Sequence, residues 1–89
     1  MARLYKTDGT NEEVSPADGK TFKLRELQDL VGGYIELVQL GDAVLIVNED
    51  EKIKGLPFNR EATFVLQVMR FTEDVIVGPA VLVNTKQMA

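Results

Sequence analysis

The sequence predicts a small α+β domain, an antiparallel or mixed sheet with two helices in the order β-β-α-β-β-α-β. Three observations carry that expectation. Two runs rich in β-branched and aromatic residues, Tyr34 to Leu40 and Ala43 to Val47, are separated only by Gly41-Asp42, a connection suited to an antiparallel hairpin. Two other stretches, beginning near Leu24 and Asn59, repeat apolar residues at helical spacing instead. The chain has 89 residues, which makes one domain whose modest core must serve every element.

At the N-terminus, Arg3-Leu4-Tyr5-Lys6 predicts a short strand, Asp8-Gly9 a tight turn and Glu12-Glu13-Val14 the returning strand. Ser15-Pro16-Ala17-Asp18-Gly19 forms a second loop. Leu24, Leu27, Leu30 and Val31 then define the apolar side of a short helix. Glu26 suits its first turn although Lys23 is a poor N-cap. Gly32-Gly33 ends it, because glycine accepts the left-handed conformation at a helix C-terminus.

In the strand that follows, alternation puts Glu36 on one face with Tyr34 and Val38, and Ile35 and Leu37 on the other. The next strand is almost wholly apolar, which predicts a central place with both faces covered. Asn48-Glu49-Asp50-Glu51-Lys52 turns the chain, and Ile53-Lys54 is expected to add a brief strand. Gly55 to Asn59 leads into the second helix, with Asn59 as N-cap and Glu61 in the first turn. Ala62, Val65, Leu66 and Met69 form its expected buried stripe, which Phe64 and Val68 widen. Asp74 to Val83 gives a strand or two bent at Gly78-Pro79, and residues 85–89 are expected to fray.

Few side chains suit catalysis. Histidine and cysteine are absent, which removes the commonest general base near neutral pH and the strongest nucleophile. Ser15 is the only serine and lies outside any nucleophile-elbow pattern. Paired carboxylates remain an option among the fourteen acids, with Glu36 the best placed. The acidic run 48–51 lacks the ligand spacing of a calcium loop, and Gly32-Gly33 precedes a strand rather than a helix, so neither metal nor phosphate-loop chemistry is expected and no cofactor is implied.

The net charge of −4 and scattered basic residues argue against direct nucleic-acid binding. No apolar run approaches the roughly 20 residues of a membrane span. The first eight residues lack the core of a secretory signal, so a cytoplasmic protein is expected. Binding candidates lie in two places: Gly32, Gly33, Tyr34 and Glu36 where the first helix meets the next strand, and Pro57, Asn59, Arg60 and Thr63 at the start of the second helix. A helix N-terminus with Arg60 beside it suits a carboxylate or phosphate, and the alternative is an ordinary cap.

Three pieces in order, Val31-Gly32-Gly33-Tyr34-Ile35-Glu36, then residues 48–63 with Leu56-Pro57-Phe58-Asn59 and Ala62-Thr63, then residues 76–83, resemble a domain-of-unknown-function family found in bacteria, their phages and other mobile elements. Its V-G-G-Y-I-E and L-P-x-N-x-x-A-T pieces are both present. The family's Asp-Glu pair in the middle turn is replaced here by Asn48-Glu49 followed by Asp50-Glu51. The resemblance spans residues 24–83, so residues 21–84 are expected to be the core of the single domain 1–89 and residues 1–20 a hairpin extension. It implies no activity, but it suggests a phage or mobile-element accessory protein.

The expected function is therefore non-catalytic binding of a host protein or a small anionic ligand. An acidic mimic of nucleic acid and a small carboxylate enzyme are the alternatives. Exposed edge strands make a homodimer an expectation as well.

Overall fold

The computed structural model describes residues 2–49, 55–70 and 72–88. In chain order it contains β1 (Ala2–Tyr5), β2 (Asn11–Val14), α1 (Leu24–Val31), β3 (Ile35–Leu40), β4 (Ala43–Asn48), α2 (Arg60–Arg70), β5 (Ala80–Asn84) and a 3-10 turn at Thr85–Gln87. The α+β class and the element order agree with the sequence. The expected strand at Ile53-Lys54, and most of the turn before it, lie outside the described residues.

All five strands form one sheet in the order β2-β1-β5-β4-β3, with every neighbouring pair antiparallel. β4 is an interior apolar strand covered on both faces, as its sequence predicts, although the central place in the sheet falls to β5. Val44 and Ile46 point to one face, where α1 contributes Leu27 and Val31 to a cluster with Leu4, Phe22, Val81 and Val83. Leu45 and Val47 point to the other, where α2 brings Ala62 and Leu66 against Leu40, Ile76 and Ala80. The result is one helix on each side of the sheet, a three-layer arrangement. Each buried Val, Leu or Ile contributes roughly 1.5–3 kcal/mol, so the two faces of β4 hold both helices.

α1 begins without help from its N-cap side chain, since lysine has no acceptor to offer. The Glu26 carboxylate substitutes, accepting the Lys23 N–H and the Ala17 N–H at 2.7 Å each. The helix stops at Gly32, whose φ of 80° is left-handed and whose N–H returns to the Gln28 carbonyl at 2.8 Å.

Four local expectations need correction. The N-terminal hairpin is no appendage, because β1 lies inside the sheet between β2 and β5. Residues 85–88 do not fray, residue 89 lying outside the described residues: Phe22 N–H donates to the Gln87 carbonyl at 2.7 Å, and Met88 bridges to Phe22 and packs on the core. Within residues 74–83 only the last four belong to a regular strand. Residues 72–78 instead cross beside α2 as an irregular strap, whose strand-like pairing among the described residues is the isolated bridge between Phe58 and Val77.

Finally, the buried stripe of α2 is narrower than its apolar content suggests. Ala62, Thr63 and Leu66 are buried, whereas Phe64, Val68 and Met69 are 65 %, 52 % and 54 % exposed. At about 100° per residue, positions 64 and 68 fall opposite the arc containing 62, 63 and 66, so a helix seated on a sheet turns them to solvent.

Candidate binding surface

The start of α2 is built around Asn59, which is fully buried. Its Oδ1 accepts the Ala62 N–H at 3.1 Å, the N-cap bond expected from sequence. Its Nδ2 donates twice, to the Tyr5 carbonyl at 2.9 Å and to the Gly78 carbonyl at 2.8 Å. One side chain thereby ties the helix to the end of β1 and to the turn before β5. Thr63, one turn on and 5 % exposed, grips the strap in the same way: its Oγ1 accepts the Ile76 N–H at 2.8 Å and donates to the Ile76 carbonyl at 3.2 Å.

Every polar atom of these two side chains is thus engaged within the fold. The arrangement is that of a staple, and it leaves neither side chain directed at a ligand. Pro57 and Arg60 are exposed beside it, and the Pro57 carbonyl accepts the Gly78 N–H at 2.7 Å.

The first group of candidates lies elsewhere. Gly32 and Gly33 close α1, and both N–H groups donate to the Gln28 carbonyl. Tyr34 stands 68 % exposed just before β3. Glu36 faces the α2 side of the sheet, as alternation requires, because it pairs in register with Val47. There it lines a hollow of about 600 Å³ between β3, β4, the C-terminal half of α2 and the strap. Val47, Leu66 and Ile76 form a buried apolar floor, and Glu36, Glu49, Asp74 and Arg70 stand at an exposed rim. Of the eight candidate residues only Glu36 reaches this hollow.

Sequence reasoning missed Glu49, Arg70 and Asp74 as companions of Glu36. Glu49 comes just after the end of β4 and Arg70 from the end of α2, and Asp74 joins them because the strap folds back along α2, where Gln67 Nε2 donates to the Asp74 carbonyl at 3.1 Å. It also missed the solvent-facing apolar residues of α2. One signal was available: Phe64 and Val68 are four apart, and neither shares an arc with the pair Ala62 and Leu66.

Among the described residues two carboxyl groups are held below their ordinary range, both in the N-terminal loops. The Thr10 hydroxyl and N–H stabilise ionised Asp8, and the N–H groups of Lys20 and Thr21 do the same for Asp18. These order turns and lie away from the hollow. Ser15 borders a smaller groove of about 360 Å³ with Phe22, Glu26 and Asp29, where the Glu26 carboxylate is already engaged in capping α1. Among the described residues no cluster of acids has the arrangement of a metal site, and no helix is long and apolar enough to cross a membrane.

Comparison with curated proteins gave no match, and comparison with solved structures gave none either. A family model matches residues 2–88, from β1 through the bridge of Met88, and so takes in the hairpin that the motifs alone left outside. The chain therefore belongs to the family described as Domain of unknown function (DUF3846).

Proposed function

We propose that the chain is a non-catalytic binding protein, a phage or mobile-element accessory that grips a host protein through the α2 side of the sheet. The observation that carries this reading is the outward face of α2, where Phe64 and Val68, one turn apart, point to solvent. An apolar patch of aromatic and aliphatic side chains rimmed by polar groups is the usual composition of a protein-binding surface.

The hollow supports the same reading and indicates the partner's chemistry. Among the described residues three carboxylates stand against one guanidinium at its rim, a balance that favours a lysine or arginine of the partner over a small anion. The engaged side chains of Asn59 and Thr63 weigh against an anion at the α2 N-terminus in the same direction.

Chemical-shift mapping during titration with fractions of bacterial host protein tests the proposal. Shifts centred on Phe64, Val68 and Glu36, abolished by Val68→Asp, are expected. Shifts at residues 59–63 on addition of inorganic phosphate would replace it with the anion reading. The convergence of Glu36, Glu49 and Asp74 also keeps a carboxylate enzyme in view. For that reading to stand, a substrate screen must find turnover that Glu36→Gln removes without loss of stability.

A further inference from the structure

The two edges of the sheet, β2 and β3, are finished differently. β2 carries Glu12 and Glu13 in its four residues. Glu12 pairs with Lys6 at 3.4 Å, and Asn11 accepts from Arg3 at 2.6 Å. Charge of this kind protects an edge from further strands. β3 is six residues long, Ile35 to Leu40, with Glu36 as its single charge.

The ladder shows which backbone groups of β3 are unused. The Glu49 N–H donates to the Tyr34 carbonyl at 2.8 Å, which makes 34 and 49 a hydrogen-bonded pair. Such pairs alternate along an antiparallel ladder, so residues 36, 38 and 40 turn their N–H and C=O groups toward β4. Ile35, Leu37 and Gln39 turn theirs outward, and among the described residues nothing pairs with them. Three donor–acceptor couples in a row, on an edge with one charge, form an open template.

We propose that a second copy of this chain fills it, with β3 pairing antiparallel to its own counterpart about a two-fold axis at Leu37. A two-fold contact must be self-complementary, and the outward row is symmetric about that residue: Ile35 meets the partner's Gln39, and Leu37 meets the partner's Leu37. Side-chain charge selects the register. An axis at Leu37 sets Glu36 opposite the partner's Val38, whereas an axis at Glu36 would oppose two carboxylates directly. An axis at Val38 would run Ile35 against the partner's Gly41, whose φ of 68° already belongs to the hairpin turn.

The chosen register covers Leu37, which is 54 % exposed in the single chain. It also places the partner's Val38 beside Glu36, so the hollow under α2 gains a wall from the second copy. The pairing stands whether or not the outer face of α2 takes a host protein, since Phe64 and Val68 point away from the sheet.

Sedimentation across a concentration series, combined with amide exchange, tests the dimer. The mass is expected to rise from 9.9 kDa toward twice that value. The N–H groups of Ile35, Leu37 and Gln39 should exchange more slowly as dimer forms. Leu37→Lys puts two ammonium groups at the axis and is expected to weaken association at least ~tenfold, while Glu13→Lys on the opposite edge leaves it intact. A chain still monomeric at about 1 mM overturns the proposal. So does a dimer in which those three amides exchange at a rate independent of concentration, which would place the contact elsewhere. If Leu37→Lys fails to fold, exchange in the unaltered chain decides the matter alone.

Discussion

Replacing Asn59 by alanine should be among the most damaging single changes in this protein, and its cost can be worked from the contacts. The substitution removes the N-cap of α2, worth about 1 kcal/mol. It also strips the Gly78 carbonyl of a buried donor at 2.8 Å, and a buried polar group left unpaired costs about 1–3 kcal/mol. The Tyr5 carbonyl, 2.9 Å away in a part-buried setting, loses less because water can reach it. The total is about 3 kcal/mol, a large fraction of the roughly 5–10 kcal/mol expected for a domain of this size. With a urea slope near 1 kcal/mol/M, the unfolding midpoint should fall by about 3 M. Asn59→Asp separates the cap from the staple. It keeps an acceptor for the Ala62 N–H but sets a carboxylate oxygen against two carbonyls, so it should cost at least as much as alanine. If Asn59→Asp instead unfolds within about 0.5 kcal/mol of the parent, the two donated bonds contribute nothing and the account of this side chain is wrong.

Three further outcomes follow from the same contacts. Phe64→Ser should change stability by no more than about 0.5 kcal/mol in urea unfolding, because the ring is 65 % exposed; a loss of about 3 kcal/mol or more would restore it to the core. Gly78→Ala should destabilise more than Gly32→Ala by thermal melting. Both sites have left-handed φ, 79° and 80°, but a Cβ at Gly78 would stand 2.8 Å from Leu56 Cδ1 while one at Gly32 meets open space. Asp18 should titrate below the ordinary 3.8 by carboxyl NMR, held down chiefly by the Lys20 and Thr21 N–H groups. Since its folded pKa is depressed, its stabilisation is complete above the unfolded value and fades as pH falls through the folded one, so the gap between the parent and Asp18→Asn should close only in that acid range.

What the sequence revealed depended on how local the determining contacts are. The β3–β4 hairpin was legible because two residues join its strands and the apolar run of β4 demands cover on both faces. The N-cap role of Asn59 was legible for the same reason, its acceptor bond reaching only three residues ahead. Its two donated bonds were not, since their partners lie 54 and 19 residues away. Sheet order is likewise non-local: nothing near Arg3 announces that β5 will insert beside it. The hollow was half legible. Alternation put Glu36 on the correct face, but Arg70 reaches it from the end of α2, and Asp74 through a strap whose path is set by Thr63 and Ile76 rather than by any turn signal.

The over-reading of α2 bears most directly on function. Apolar composition cannot distinguish a residue that holds a helix to its sheet from one that waits for a partner, because both reduce contact with water when covered. Geometry can. The second face of the sheet is met by Ala62, Leu66 and the flanking Val65, while Asn59 and Thr63 fix the helix to its neighbours by hydrogen bonds. Among the described residues Phe64 and Val68 join neither core cluster, and lysine or glutamate would favour a helix more and keep a surface soluble. On the binding reading proposed above, the apolar side chains on its outer surface make the second contact, and substitutions at 64 and 68 are expected to remove that contact while the inner surface keeps the fold.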